Sequence, residues 1–64
     1  MEFSEIVKNV RNILRLSQSE LAEALGVSFA TINRWENKKS VPSKLAQKSF
    51  YDFCENNFID IKKL

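Results

Sequence analysis

The sequence predicts an all-α fold, a compact bundle of four to five helices, on three observations. Apolar residues recur at spacings of three and four, serines able to cap helices stand ahead of successive apolar runs, and alternation of period two is absent except over 58–61, a segment too short to found a sheet. The first helix is predicted over about 4–14, where Phe3, Ile6, Val7, Val10, Ile13 and Leu14 form an amphipathic stripe. Ser17 caps the second helix, since its hydroxyl can accept from the free N–H groups of the next turn. Glu20, three residues on, completes an S-x-x-E capping box. This helix turns Leu21, Ala22 and Leu25 inward and stops at Gly26, the single glycine, where a left-handed cap costs least. After a turn of two to three residues Ser28 caps a third helix that runs to Glu36 with Ile32 and Trp35 facing inward. The polar stretch 37–42, ending in the single proline, reads as a loop. Ser43 opens a fourth helix expected to bury Leu45, Ala46, Phe50, Phe53 and Cys54, and Phe58, Ile59, Ile61 and Leu64 continue as an apolar tail.

Sixty-four residues form one domain, 1–64, with its core at about 4–56 and the tail at 58–64, because so small a chain buries only about 60% of the surface it exposes when unfolded. A composition of 44% hydrophobic and 28% charged residues is that of a folded domain. One cysteine and no histidine exclude an internal disulfide and leave no ligand set for a metal, so packing alone must supply stability. No apolar run nears the roughly 20 residues of a membrane span and the N-terminus lacks a signal-peptide pattern, so the expectation is a cytoplasmic protein with no membrane partner. Without a histidine, a Gly-rich phosphate loop or room for a cleft, no catalytic residue, cofactor or small-molecule substrate is expected, and the chain reads as a non-enzyme. Charge is the more positive guide. Residues 26–50 hold five bases against one acid, while the rest of the chain is net negative, which concentrates a positive field and favours a polyanionic partner.

The two short helices at about 18–25 and 28–36 form a helix-turn-helix at about 17–36. Ala22 lets them approach closely, Gly26 permits the reversal, and Ile32 with Leu25 seals the unit. The run Leu16-Ser17-Gln18-Ser19-Glu20-Leu21-Ala22-Glu23-Ala24-Leu25-Gly26-Val27-Ser28, with Thr31-Ile32-Asn33-Arg34-Trp35-Glu36-Asn37 and Val41-Pro42-Ser43, resembles the phage repressor and Cro-like (XRE-type) helix-turn-helix family over roughly residues 5–55. The resemblance implies a lambda-repressor-like fold and sequence-specific binding of double-stranded DNA by a transcriptional regulator, a repressor. The third helix would enter the major groove while the second lies across the backbone.

Carried onto this chain, the resemblance makes Gln18 a phosphate contact, in keeping with the free N–H groups and partial positive charge of a helix N-terminus. Ser28, Phe29, Ala30, Asn33 and Arg34 become the base-reading positions. Arg34 suits guanine O6 and N7, Asn33 suits adenine or a phosphate, and Phe29 and Ala30 offer apolar surface suited to a thymine methyl group. Phe29 reads equally well as a core residue or a protein contact. Asn37, Lys38, Lys39 and Lys44 would hold phosphates. The family usually has glycine where this chain has Arg15 and Lys38, which implies left-handed non-glycine residues or rearranged turns there. Arg11 and Glu36 match a partly buried salt bridge that ties the first helix to the end of the third, a structural role shared by Ala22, Gly26, Ile32 and Trp35. Cys54 reads as a small core hydrophobe. The expected partners are double-stranded DNA and a second copy of the chain, the pair engaging half-sites of a palindromic operator about 34 Å apart. The alternative is a protein-interaction or antitoxin-type adaptor module that docks through Phe29 and the apolar tail.

Overall fold

The computed structural model describes residues 2–64; Met1, the first residue of the expected domain, lies outside the described residues. Four helices follow in order: α1 (Phe3–Leu14), α2 (Gln18–Leu25), α3 (Phe29–Glu36) and α4 (Lys44–Asn56), then one 3₁₀ turn (Ile61–Lys63). No strand occurs among the described residues. Ser17, Ser28 and Ser43 each stand at an N-cap and accept a hydrogen bond from the amide three residues on, so the three serine caps set where α2, α3 and α4 begin.

All four helices end in the same way. The chain reverses through a left-handed residue, Arg15 (φ 57°), Gly26 (72°), Lys38 (59°) or Phe58 (60°). At each end one amide reaches back three residues and the next reaches back five. The pairs are Arg15 N to Asn12 O with Leu16 N to Arg11 O, and Gly26 N to Glu23 O with Val27 N to Ala22 O. Lys38 N to Trp35 O with Lys39 N to Arg34 O, and Phe58 N to Glu55 O with Ile59 N to Cys54 O, repeat the pattern. This is the double bond of a Schellman cap, which satisfies carbonyls that a helix end otherwise leaves unpaired. Leu16, Val27 and Ile59, each following the left-handed residue, pack against the core, so three of the caps also anchor their loops.

Val7, Val10, Leu21, Ala22, Ile32, Trp35, Phe50 and Cys54 form that core. Phe3 packs edge-to-face against Trp35 and Phe50 with ring centres 5.4 Å from each, and against Tyr51 at 6.1 Å, so α1 closes the bundle over α3 and α4. The Cys54 thiol is buried, and burial pushes its pKa up to about 11, in keeping with a hydrophobe and not a nucleophile.

Two sequence expectations fail here. Leu45, expected in the core, is 76% exposed, because the buried stripe of α4 runs through Ala46, Phe50 and Cys54 and Leu45 is rotated about 100° from Ala46. Ile13 is 54% exposed on the margin of the α1 stripe, whose centre follows Phe3, Val7, Val10 and Leu14. The apolar tail gains a defined place: Ile59, Ile61 and Leu64 fold back onto the core, and Phe58 alone of these residues stands 99% exposed.

One ion pair joins the first helix to the third. Arg11 Nε donates to Glu36 Oε2 at 2.8 Å and Nη2 to Oε1 at 3.0 Å, while Nη1 reaches the Leu16 carbonyl at 3.3 Å. Glu36 is buried. Burial alone would push its carboxyl up, but the hydrogen bonds from Arg11 and Gln18 and the charge of Arg11 outweigh it and hold the carboxyl below its ordinary 4.5. Because the folded value is depressed, the stability this carboxylate contributes is complete above that ordinary range and is lost as pH falls through the lowered value. Urea unfolding at neutral pH is expected to find Glu36→Gln less stable than the parent by about 2 kcal/mol, with the gap closing as the pH is taken well below 4.5. Phe58→Gly is expected to raise stability by about 0.5–1 kcal/mol in the same assay, since it relieves a left-handed non-glycine and removes a side chain that packs on nothing in the core.

Candidate nucleic-acid interface

The first turn of α2 is held by a complete capping box. Ser17 Oγ accepts from Glu20 N at 3.0 Å, and Glu20 Oε1 accepts from Ser17 N at 2.8 Å. The box uses the Glu20 amide and leaves those of Gln18 and Ser19 without an intrahelical acceptor, a small cradle of N–H groups at the positive end of the helix.

Beside this cradle, side-chain polarity is set by Glu36. A carboxylate can only accept, so the Gln18 amide turns its Nε2 toward Glu36 Oε1, at 3.1 Å, and its Oε1 toward Asn33. Asn33 Nδ2 donates to that oxygen at 3.3 Å, and Asn33 Oδ1 accepts from Asn37 Nδ2 at 3.1 Å. Asn37 Nδ2 also lies 2.9 Å from the Asn33 carbonyl. The result is a directed chain, Asn37 to Asn33 to Gln18 to Glu36, which Arg11 terminates from the opposite side. It fixes the first turn of α2 against α3 and runs on into the loop after α3.

The expected readers are unequal in this setting. Arg34 is exposed and its guanidinium has no hydrogen bond or ion pair among the described residues. Asn33, expected to be exposed, is half-buried and committed to Gln18 and Asn37. Ser28 is exposed, but its hydroxyl accepts from Thr31 N at 3.1 Å and pairs with Thr31 Oγ1 at 2.9 Å. Phe29 is 50% exposed and lies outside the packed core, and Ala30 beside it is exposed.

The basic residues divide similarly. Lys39 and Lys44 are exposed and make no ion pair among the described residues. Lys44 stands apart, on the first turn of α4, with no hydrogen bond to the α2–α3 unit. Lys38 Nζ meets Glu2 Oε2 at 2.6 Å with both side chains well exposed. That hydrogen bond, reinforced by charge, lowers the Glu2 carboxyl and raises the Lys38 ammonium. Periodicity carries no trace of this pair, since its partners lie at opposite ends of the α1–α3 segment. The Gln18–Glu36 bond likewise leaves no mark in local spacing, because a helix crossing brings together residues 18 positions apart. The one acid of residues 26–50 is Glu36 itself, buried and neutralised by Arg11. The outward face of α3 and its following loop therefore present Arg34 and Lys39 unpaired, with Lys38 held by Glu2 from the start of the chain, a surface suited to phosphate.

A helix-turn-helix family profile matches residues 7–46. The type II methyltransferase M1.ScrFI of Lactococcus lactis subsp. cremoris is 40% identical over 57 residues, covering 84% of this chain and 15% of that protein. The HTH-type transcriptional activator BcrR of Enterococcus faecalis is 38% identical over 53 residues, covering 83% of this chain and 26% of its own length. The chain thus spans about a quarter or less of either relative. No solved structure is a significant match. The profile takes in α2, the Gly26 turn and α3 whole, together with Arg11 and Glu36, and the chain belongs to the XRE-type helix-turn-helix family of DNA-binding regulators.

Proposed function

We propose that this domain binds double-stranded DNA sequence-specifically, with the N-terminal part of α3 in the major groove and the first turn of α2 across the backbone. The observation that carries this reading is the hydrogen-bond chain through Gln18 and Glu36. It makes a phosphate-ready helix N-terminus and a base-facing helix one rigid unit, with a free guanidinium on the outward face. In this arrangement Arg34 addresses a guanine through O6 and N7. Gln18, Asn37, Lys38, Lys39 and Lys44 address phosphates that set register and affinity, with Lys38 leaving Glu2 to do so.

The relatives support a shared docking part. One is named a methyltransferase and the other a transcriptional activator, and each matches this chain over a minor fraction of its length. A DNA-binding module is a part that proteins of different chemistry can share. We accordingly read the chain as a module without catalysis, cofactor or small-molecule substrate, at work in the cytoplasm. No helix among the described residues is long and apolar enough to cross a membrane. On this reading the regulator represses, because occluding a promoter needs no contact beyond the DNA. One short helix reaches few base pairs, so a single copy binds in the micromolar range or more weakly. Tight binding requires two copies on half-sites about 34 Å apart.

The rival reading, a protein-docking module, draws support from the fully exposed Phe58. Salt separates the two, since phosphate binding weakens steeply as salt rises and apolar docking changes little. Selection from randomised duplexes at low salt, with sequencing of the bound pool, is expected to enrich one motif; a pool with no enrichment contradicts specific binding. On the enriched duplex, Arg34→Ala is expected to relax preference at one base pair by about 1–3 kcal/mol. Lys39→Ala is expected to weaken all sequences alike and to lower the salt slope by about one.

A further inference from the structure

At the N-terminal end of α3 the hydroxyls are engaged within the helix itself. Ser28 spends its hydroxyl on the helix cap and on Thr31. Phe29 and Ala30, which follow, are apolar, and Phe29 leaves half its surface in solvent and meets no other aromatic ring among the described residues. On a helix, Phe29 stands one turn ahead of Asn33 and Ala30 one turn ahead of Arg34, so the apolar pair shares the outward face with the free guanidinium. Asn33 spends one amide N–H on Gln18 and one Oδ1 lone pair on Asn37, so its orientation is set by neighbours and not by a base. Arg34 is the side chain on this face whose hydrogen-bonding groups are wholly uncommitted, and the turn before it presents apolar surface through Phe29 and Ala30. The apolar group on the major-groove edge of a base pair is the 5-methyl of thymine, which cytosine acquires when methylated at C5.

Given the DNA-binding reading on which this rests, we infer that Phe29, with Ala30 beside it, reads a pyrimidine 5-methyl group next to the base pair addressed by Arg34. Phe29 supplies a face for the methyl and Ala30 leaves room for the base edge to approach. The domain is consequently sensitive to cytosine methylation at that one position: a 5-methylcytosine there is bound better than cytosine.

The test uses the full chain and the duplex enriched from a randomised pool. Each thymine is replaced in turn by deoxyuridine, which removes the methyl and nothing else, and at the sensitive position cytosine is compared with 5-methylcytosine, each paired with guanine. Loss of one methyl contact is expected to weaken binding about fourfold at one or two adjacent positions, and 5-methylcytosine is expected to bind more tightly than cytosine by a similar factor. Phe29→Ala should bind the methylated and unmethylated duplexes equally while still unfolding cooperatively, because Phe29 is half exposed and is not one of the buried core residues; Phe29→Leu should retain part of the discrimination. An enriched duplex indifferent to every methyl, or a Phe29→Ala variant that still discriminates, overturns this inference and leaves DNA binding standing. A pool with no enriched duplex overturns both.

Discussion

The Glu36 carboxylate is the constraint on which the rest of the structure depends. It sits buried at the end of α3 and accepts from three donors, two on Arg11 and one on Gln18. A buried carboxylate without such partners would be costly. Satisfied, it does three things at once. It ties α1 to α3, it removes the one negative charge of residues 26–50 from the outward surface, and it dictates which way the Gln18 amide faces. From that last choice the orientations of Asn33 and Asn37 follow, since each amide must offer its neighbour the complementary group. Stability and candidate recognition thus share one group.

The helix ends show a second regularity. Four Schellman caps close four helices, yet only one of the left-handed positions is glycine. Arg15, Lys38 and Phe58 accept a conformation that costs a side-chain-bearing residue about 1 kcal/mol each. At Lys38 the strained residue also carries the charge that pairs with Glu2. At Phe58 the same geometry throws an aromatic ring fully into solvent while turning Ile59 inward. The tail is thereby folded onto the core by the residue after the strained one.

Much of this was legible in residue order because helix starts are chemically local. Ser17 with Glu20, Ser28 and Ser43 mark three N-termini within a few residues, and Gly26 marks the reversal. The stripes were legible in register but not at their margins: Ile13 and Leu45 lie one position off their buried faces, where hydrophobicity alone does not separate core from surface. Phe58 was opaque because a left-handed cap without glycine has no compositional sign. The candidate site was legible in membership and not in connection. Arg11 and Glu36 were paired through family resemblance, but the commitment of Asn33 to Gln18, and of Lys38 to Glu2, arises from helix crossings that bring distant residues together. Such contacts are tertiary facts, and they change which side chains are free.

What remains decisive is which face of the bundle meets a duplex. Amide and side-chain NMR of the labelled chain, titrated with its enriched duplex, reports that face residue by residue. Perturbations are expected to gather on Gln18, Ser19, Phe29, Ala30, Arg34 and the 37–39 loop, with the side-chain amides of Gln18 and Asn33 moving together, while Tyr51 stays unmoved. Perturbations centred instead on Tyr51, Phe58 and Ile61, with α3 silent, would contradict the assignment of the Gln18–Glu36 unit as the DNA-reading surface.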